Sequence, residues 1–132
     1  MSGEELWQAE AGGGEVGSYL SASVDDVRVI VGTGSDNALV AFNAKTGEEL
    51  WRHPTGSIVE SPVIAGGVVY ASDLAGIVYA VDASTGEERW TFSVNGVTTS
   101  PTVAGGMVYI QNWIDGLLYA IGDAPPGATP VT

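Results

Sequence analysis

A chain of 132 residues with sixteen Asp and Glu, four Lys and Arg, one His and no Cys can build acid–base or metal chemistry chiefly from carboxylates. Ser21, Glu60 and Thr99 stand at matching positions of three successive segments. On innermost strands they would line an axis, and Glu60 side chains gathered by symmetry would hold a cation or raise one another's pKa. The plainer reading is a solvated glutamate in a wet channel. His53 is the single histidine and has no nucleophile or second ligand near it in sequence, so it reads as structural. Asp25, Asp26, Asp36 and Asp73 do not fall at the spacing of a calcium-binding loop. No catalytic residue and no metal ligand set is assigned. Trp113, in Asn112-Trp113-Ile114-Asp115, interrupts the repeat with an aromatic on a connecting loop, which suits a partner contact or local packing.

The formal net charge of −12 excludes whole classes of partner. Nucleic acid and anionic membrane need basic residues that this chain lacks. The scattered acids and the near absence of lysine read as a surface kept soluble by charge, as in high salt; attraction of a basic partner or a cation is the alternative. Without cysteine there is neither a disulfide framework nor a thiolate metal site. No apolar stretch reaches the roughly 18 residues of a membrane span, and Met1-Ser2-Gly3 begins no signal peptide.

The elements that must position these residues are announced by a repeated phrase. Ala41-Phe42-Asn43-Ala44-Lys45-Thr46-Gly47-Glu48-Glu49-Leu50-Trp51 and Ala80-Val81-Asp82-Ala83-Ser84-Thr85-Gly86-Glu87-Glu88-Arg89-Trp90 share the pattern A-x-[ND]-x-x-T-G-x-x-x-W. A third copy starts at Ala120 and dissolves into Pro125-Pro126, while its second half, ending in Trp7, stands at the N-terminus. Short runs rich in Val, Ile, Tyr and Thr alternate with Gly-Gly, Asp-Gly and Thr-Gly turns. The expected strands are 59–64, 68–72, 77–82 and 88–93 in the second unit. Those of the third are 98–103, 107–111 and 117–121; those of the first are 20–24, 28–33 and 39–43, with 4–8 as an outlying strand. Four antiparallel strands per roughly 40 residues describe a β-propeller blade, and the fold class is all-β with almost no helix. Gly47 and Gly86 supply the backbone of a tight turn, and Asn43 or Asp82 accepts bonds from its amides, with Thr46 and Thr85 beside them. Ala41, Ala80 and Ala120 leave room for a large neighbour, for which Trp51 and Trp90 are the candidates.

At these residues the chain resembles the pyrroloquinoline-quinone (PQQ)-type repeat of β-propellers, with its tryptophan-docking motif A-x-D-x-x-T-G-x-x-x-W. The resemblance implies that Trp7, Trp51 and Trp90 are structural residues of outermost strands, stacked between blades. That family holds both quinoprotein dehydrogenases, with quinone and calcium in the channel of an eight-bladed ring, and non-enzymatic scaffolds such as the propeller lipoprotein of bacterial outer-membrane assembly. No Asp base with Glu and Asn calcium ligands maps onto this sequence, so neither PQQ nor calcium is expected and the chain is read as no enzyme. The resemblance favours a location outside the cytoplasm or at the cell surface.

Residues 1–122 thus read as three blades, and residues 123–132, with Pro125, Pro126 and Pro130, as a flexible tail. Three blades are too few for a closed ring, since propellers run from about four upward. The expectation is a scaffold that binds itself, the strand at 4–8 completing the last blade of another chain. A dimer of six blades is favoured over a trimer of nine. The alternatives are a quinone- or calcium-binding propeller and a fragment of a larger surface propeller.

Overall fold

The computed structural model describes residues 3–11, 22–33, 36–57, 59, 61–94, 96 and 101–122. Among them are three antiparallel sheets and no helix. The first sheet runs in the order β1 (Ser23–Val24), β2 (Arg28–Gly32), β3 (Ala38–Asn43), β4 (Glu49–Pro54). The second follows as β5 (Val63–Ala65), β6 (Val68–Ser72), β7 (Ile77–Asp82), β8 (Glu88–Ser93). The third contains β9 (Thr102–Ala104), β10 (Met107–Gln111) and β11 (Leu118–Ile121), with no fourth strand among the described residues. Each strand pairs with its sequence neighbour, the meander of a propeller blade.

The strands β6, β7, β8 and β10 begin and end where the sequence pattern puts them. The inner strands are shorter than expected: β5 keeps three residues, and Val59 touches Asp73 only as an isolated bridge. Residues 4–8, expected as a strand, join no sheet of this chain. An extended segment becomes a strand only where a neighbour takes its N–H and C=O groups, and the third sheet, with no fourth strand among the described residues, lies two blades away.

Turn chemistry sets the hairpins. Gly66-Gly67 and Gly105-Gly106 repeat the same φ values, +58° and +77°, as a two-residue turn with both central residues left-handed requires. The first sheet turns instead on Asp25, whose Oδ1 accepts the amides of Val27 (2.8 Å) and Arg28 (2.7 Å).

The core lies between sheets. Leu39, Ala41 and Trp51 of the first sheet pack against Val69, Ala71 and Tyr79 of the second. Tyr70, Val78 and Ala80, on the opposite face of the second, meet Val108, Ile110 and Ile121 of the third. Both faces of β6 are covered, which is why Val-Val-Tyr-Ala-Ser is buried throughout, whereas outermost β8 is largely exposed.

Candidate functional site

The repeated phrase folds into a dock that ties one blade to the next. In the second sheet, Asp82 Oδ1 accepts the amides of Ser84 (2.9 Å) and Thr85 (3.2 Å), and Thr85 Oγ1 accepts that of Glu87 (3.2 Å). Asn43 Oδ1 does the same for Lys45 (2.8 Å) and Thr46 (3.1 Å), and Thr46 Oγ1 for Glu48 (3.3 Å). The turn then closes through Gly86 N–H to Asp82 O and Gly47 N–H to Asn43 O, each 2.8 Å. The carboxyl of Asp82 is held well below the usual carboxylate range, first by the Ser84 hydroxyl, then by the Arg89 guanidinium and the Ser84 amide.

On this turn sits the indole of the preceding outermost strand. Trp51 donates Nε1–H to Ala83 O at 2.8 Å, and its ring covers Gly86 so closely that a β-carbon there would lie 2.7 Å from Cδ2. Trp7 repeats the arrangement one blade earlier: Nε1–H donates to Ala44 O at 3.0 Å, and a β-carbon on Gly47 would lie 2.6 Å from Cε3. In the single chain Trp7 docks on its own first blade. The reason is local, since the complete turn Asn43-Ala44-Lys45-Thr46-Gly47 offers both carbonyl and bare glycine. Ala41 and Ala80 lie directly across the strand pair from Trp51 and Trp90. Trp90, half-buried, packs with Tyr70 at 6.1 Å between ring centroids in the core between the second and third sheets. Ala120 ends on an exposed strand whose outer edge has no partner among the described residues.

A second tie, invisible in the motif, joins the loop after β4 to the β6–β7 hairpin. Asp73, buried, accepts the amides of Ala75 and Ile77 at Oδ1 (3.0 Å each) and the Tyr79 hydroxyl at Oδ2 (2.8 Å). Tyr79 in turn accepts the Gly56 amide at 2.8 Å. Burial first, and then the bond to the Asp73 carboxylate, push the Tyr79 phenol up to about 12. His53 lies edge-on to Tyr79, ring centroids 6.0 Å apart, with Nε2 3.5 Å from Glu88 Oε1. Thr33 and Asn112 are buried at the corresponding hairpins of the other two sheets. A polar residue recurring just after the second strand of every unit was the signal that could have found them.

The positions Ser21, Glu60 and Thr99, read as channel-lining, lie outside the described residues, as does the tail 123–132. Trp113 is 73% exposed on the β10–β11 turn, where Asn112 Oδ1 caps the Ile114 amide at 2.8 Å. Among the described residues no three carboxylate or histidine side chains converge on a cation position, and both oxygens of buried Asp73 are engaged. No described helix is long and apolar enough to cross a membrane.

A family model described as outer membrane protein assembly factor BamB matches residues 1–94 and again 35–124. No curated protein matches the chain. Among solved structures, BamB from Moraxella catarrhalis is 27% identical with a TM-score of 0.62, covering 75% of this chain and 30% of its own. A europium-containing methanol dehydrogenase is 22% identical at TM-score 0.50, over 58% of this chain and 15% of its own. Sqt1 of Saccharomyces cerevisiae is 14% identical at TM-score 0.63, over 77% and 31%. The last two speak to fold alone. The chain spans under a third of the length of each.

Proposed function

The chain belongs to the PQQ-type repeat β-propeller family whose model is described as outer membrane protein assembly factor BamB, and from that premise we propose that it is a non-enzymatic interaction scaffold whose three-blade chains join into a closed ring. One observation carries the reading: among the described residues the array has a three-stranded sheet at one end and a segment outside every sheet at the other. Trp7 is seated on the first blade while residues 3–11 belong to no sheet, and β11 at the far end lacks an outer neighbour among the described residues. Two copies would complete both ends and give six blades, and three would give nine. The scaffold reading takes its support from the assembly-factor description of the family and from a repeated motif spent wholly on blade-to-blade ties. The reading assigns no part to PQQ or calcium.

Size-exclusion chromatography with light scattering, at low and molar salt, tests the ring. Two chains per particle are expected, and more readily in salt, which screens repulsion between chains of net charge −12. A monodisperse single chain at both salts overturns the ring.

A second reading draws on the coverage: this chain matches under a third of each solved relative. As a segment of a longer propeller it would take the missing strand from its own continuation, and light scattering would find single chains of poor solubility.

A further inference from the structure

Among the described residues β11 has no outer neighbour and the segment around Trp7 joins no sheet, and the intact sheets show how such a segment pairs with such an edge. Where Ala41 faces Trp51, the next pair is Phe42 with Glu49, across a bulge; where Ala80 faces Trp90, the next is Val81 with Glu88, across the same bulge. The outer strands read Glu49-Leu50-Trp51 and Glu88-Arg89-Trp90, and the unpaired segment reads Glu5-Leu6-Trp7. Its tryptophan is already on the dock that an outermost strand uses.

The third sheet is open in the matching way. Val78 and Tyr70, on the face of the second sheet that receives the third, are 0% and 9% exposed. Their counterparts Leu118 and Tyr109 are 71% and 37% exposed. This face has the composition of a blade interface, and no described blade packs on it.

We infer that residues 5–10 of a second copy add to β11 as its fourth strand, with Trp7 opposite Ala120, Glu5 opposite Ile121 across the bulge, and Glu10 opposite Leu117. This rests on the scaffold reading and gives its joint a segment and a register. A one-residue slip is disfavoured because it would turn Trp7 away from the dock on which it is seated. Ala38, Val40 and Phe42, on the outward face of the first blade, are already buried in the single chain. The joint therefore rests on strand pairing at β11 and not on new burial of these three side chains.

The pairing can be trapped in a chain with no cysteine of its own. The Val94 amide bonds Gly76 O, so the neighbouring pair Ile77 and Ser93 is non-hydrogen-bonded, the kind whose α-carbons come closest, about 4.5 Å, within disulfide reach. Leu117 and Glu10 form the equivalent pair across the joint, and both are exposed. The double variant Glu10→Cys, Leu117→Cys should oxidise to covalent multimers that reductant releases, while the slipped pair Glu10→Cys, Leu118→Cys stays single. Rings by light scattering without the first link would overturn the register and leave the scaffold standing. Single chains with no link would overturn both, and a disulfide within one chain would overturn the second copy as occupant. Ala120→Pro removes an N–H which, by the alternation in β7, points to the open edge, a place where a sheet tolerates proline. It should leave strand content unchanged and only single chains in solution; unchanged assembly overturns the inference.

Discussion

The ring of Trp51 lies flat against Gly86 of the next blade, with its Nε1–H on Ala83 O, so the glycine of the Thr-Gly pair serves two purposes at once. Its φ of +78° is left-handed, and its missing side chain is the floor of the indole site.

Gly86→Ala should therefore cost more than a left-handed backbone alone. The new methyl would meet the indole at 2.7 Å, whereas at Gly66, also left-handed at φ +58°, a β-carbon meets nothing within 4 Å. Gly66→Ala is expected to cost about 1 kcal/mol from strain. Gly86→Ala should cost roughly 2–4 kcal/mol, with strain and overpacking together. Denaturant midpoints of the two variants measure the difference, and equal losses would mean the indole moves aside freely.

Trp7 and Trp51 make the same contacts but carry different loads. Trp51 is buried and its strand β4 is part of a sheet; Trp7 is half-buried on a segment outside every sheet. Trp51→Ala should cost roughly 3–5 kcal/mol in the single chain. Trp7→Phe, which loses mainly the bond to Ala44 O, should cost about 1 kcal/mol. Equal effects in a single-chain preparation would show that residues 3–11 are integral to the first blade.

Much of this was legible because a repeat displays its own alignment. The Asn43 and Asp82 turns, the strands from β6 to β8 and the alanine facing each tryptophan follow from residue types at fixed offsets. Two things were not legible. The motif says that Trp7 docks, but not on which turn, since docking depends on which complete turn lies within reach. The Asp73–Tyr79–Gly56 tie joins residues of two different units, and neither Gly56 nor Tyr79 is unusual in its own segment; only folding puts them 2.8 Å apart.

Asp82 should make stability acid-sensitive. Its folded pKa is depressed, so as pH falls the unfolded chain takes up the proton first, and the stabilisation drains away from about pH 5 toward about pH 2. Asp82→Asn keeps an oxygen for the turn amides, as Asn43 already does, but has no proton to gain. The wild-type advantage over Asp82→Asn should be full at neutral pH and vanish on acidification. A difference that does not change with pH would detach the carboxylate from this role.

Tyr79 should do the opposite at the alkaline end. Its phenol is raised to about 12 in the folded chain against about 10 when unfolded. Below pH ~10 both states are protonated and the stabilisation is complete; between about 10 and 12 the unfolded chain ionises first, and the advantage is lost as pH passes the folded value. Tyr79→Phe strands the Gly56 amide and one oxygen of Asp73, which should cost about 1–3 kcal/mol at neutral pH. The gap between wild type and variant should therefore close across that alkaline window, read by denaturant midpoints alongside tyrosinate absorbance. If the gap persists at high pH, the hydroxyl is not what ties the loop after β4 to the β6–β7 hairpin, and packing against His53 is the stronger bond between the first two blades.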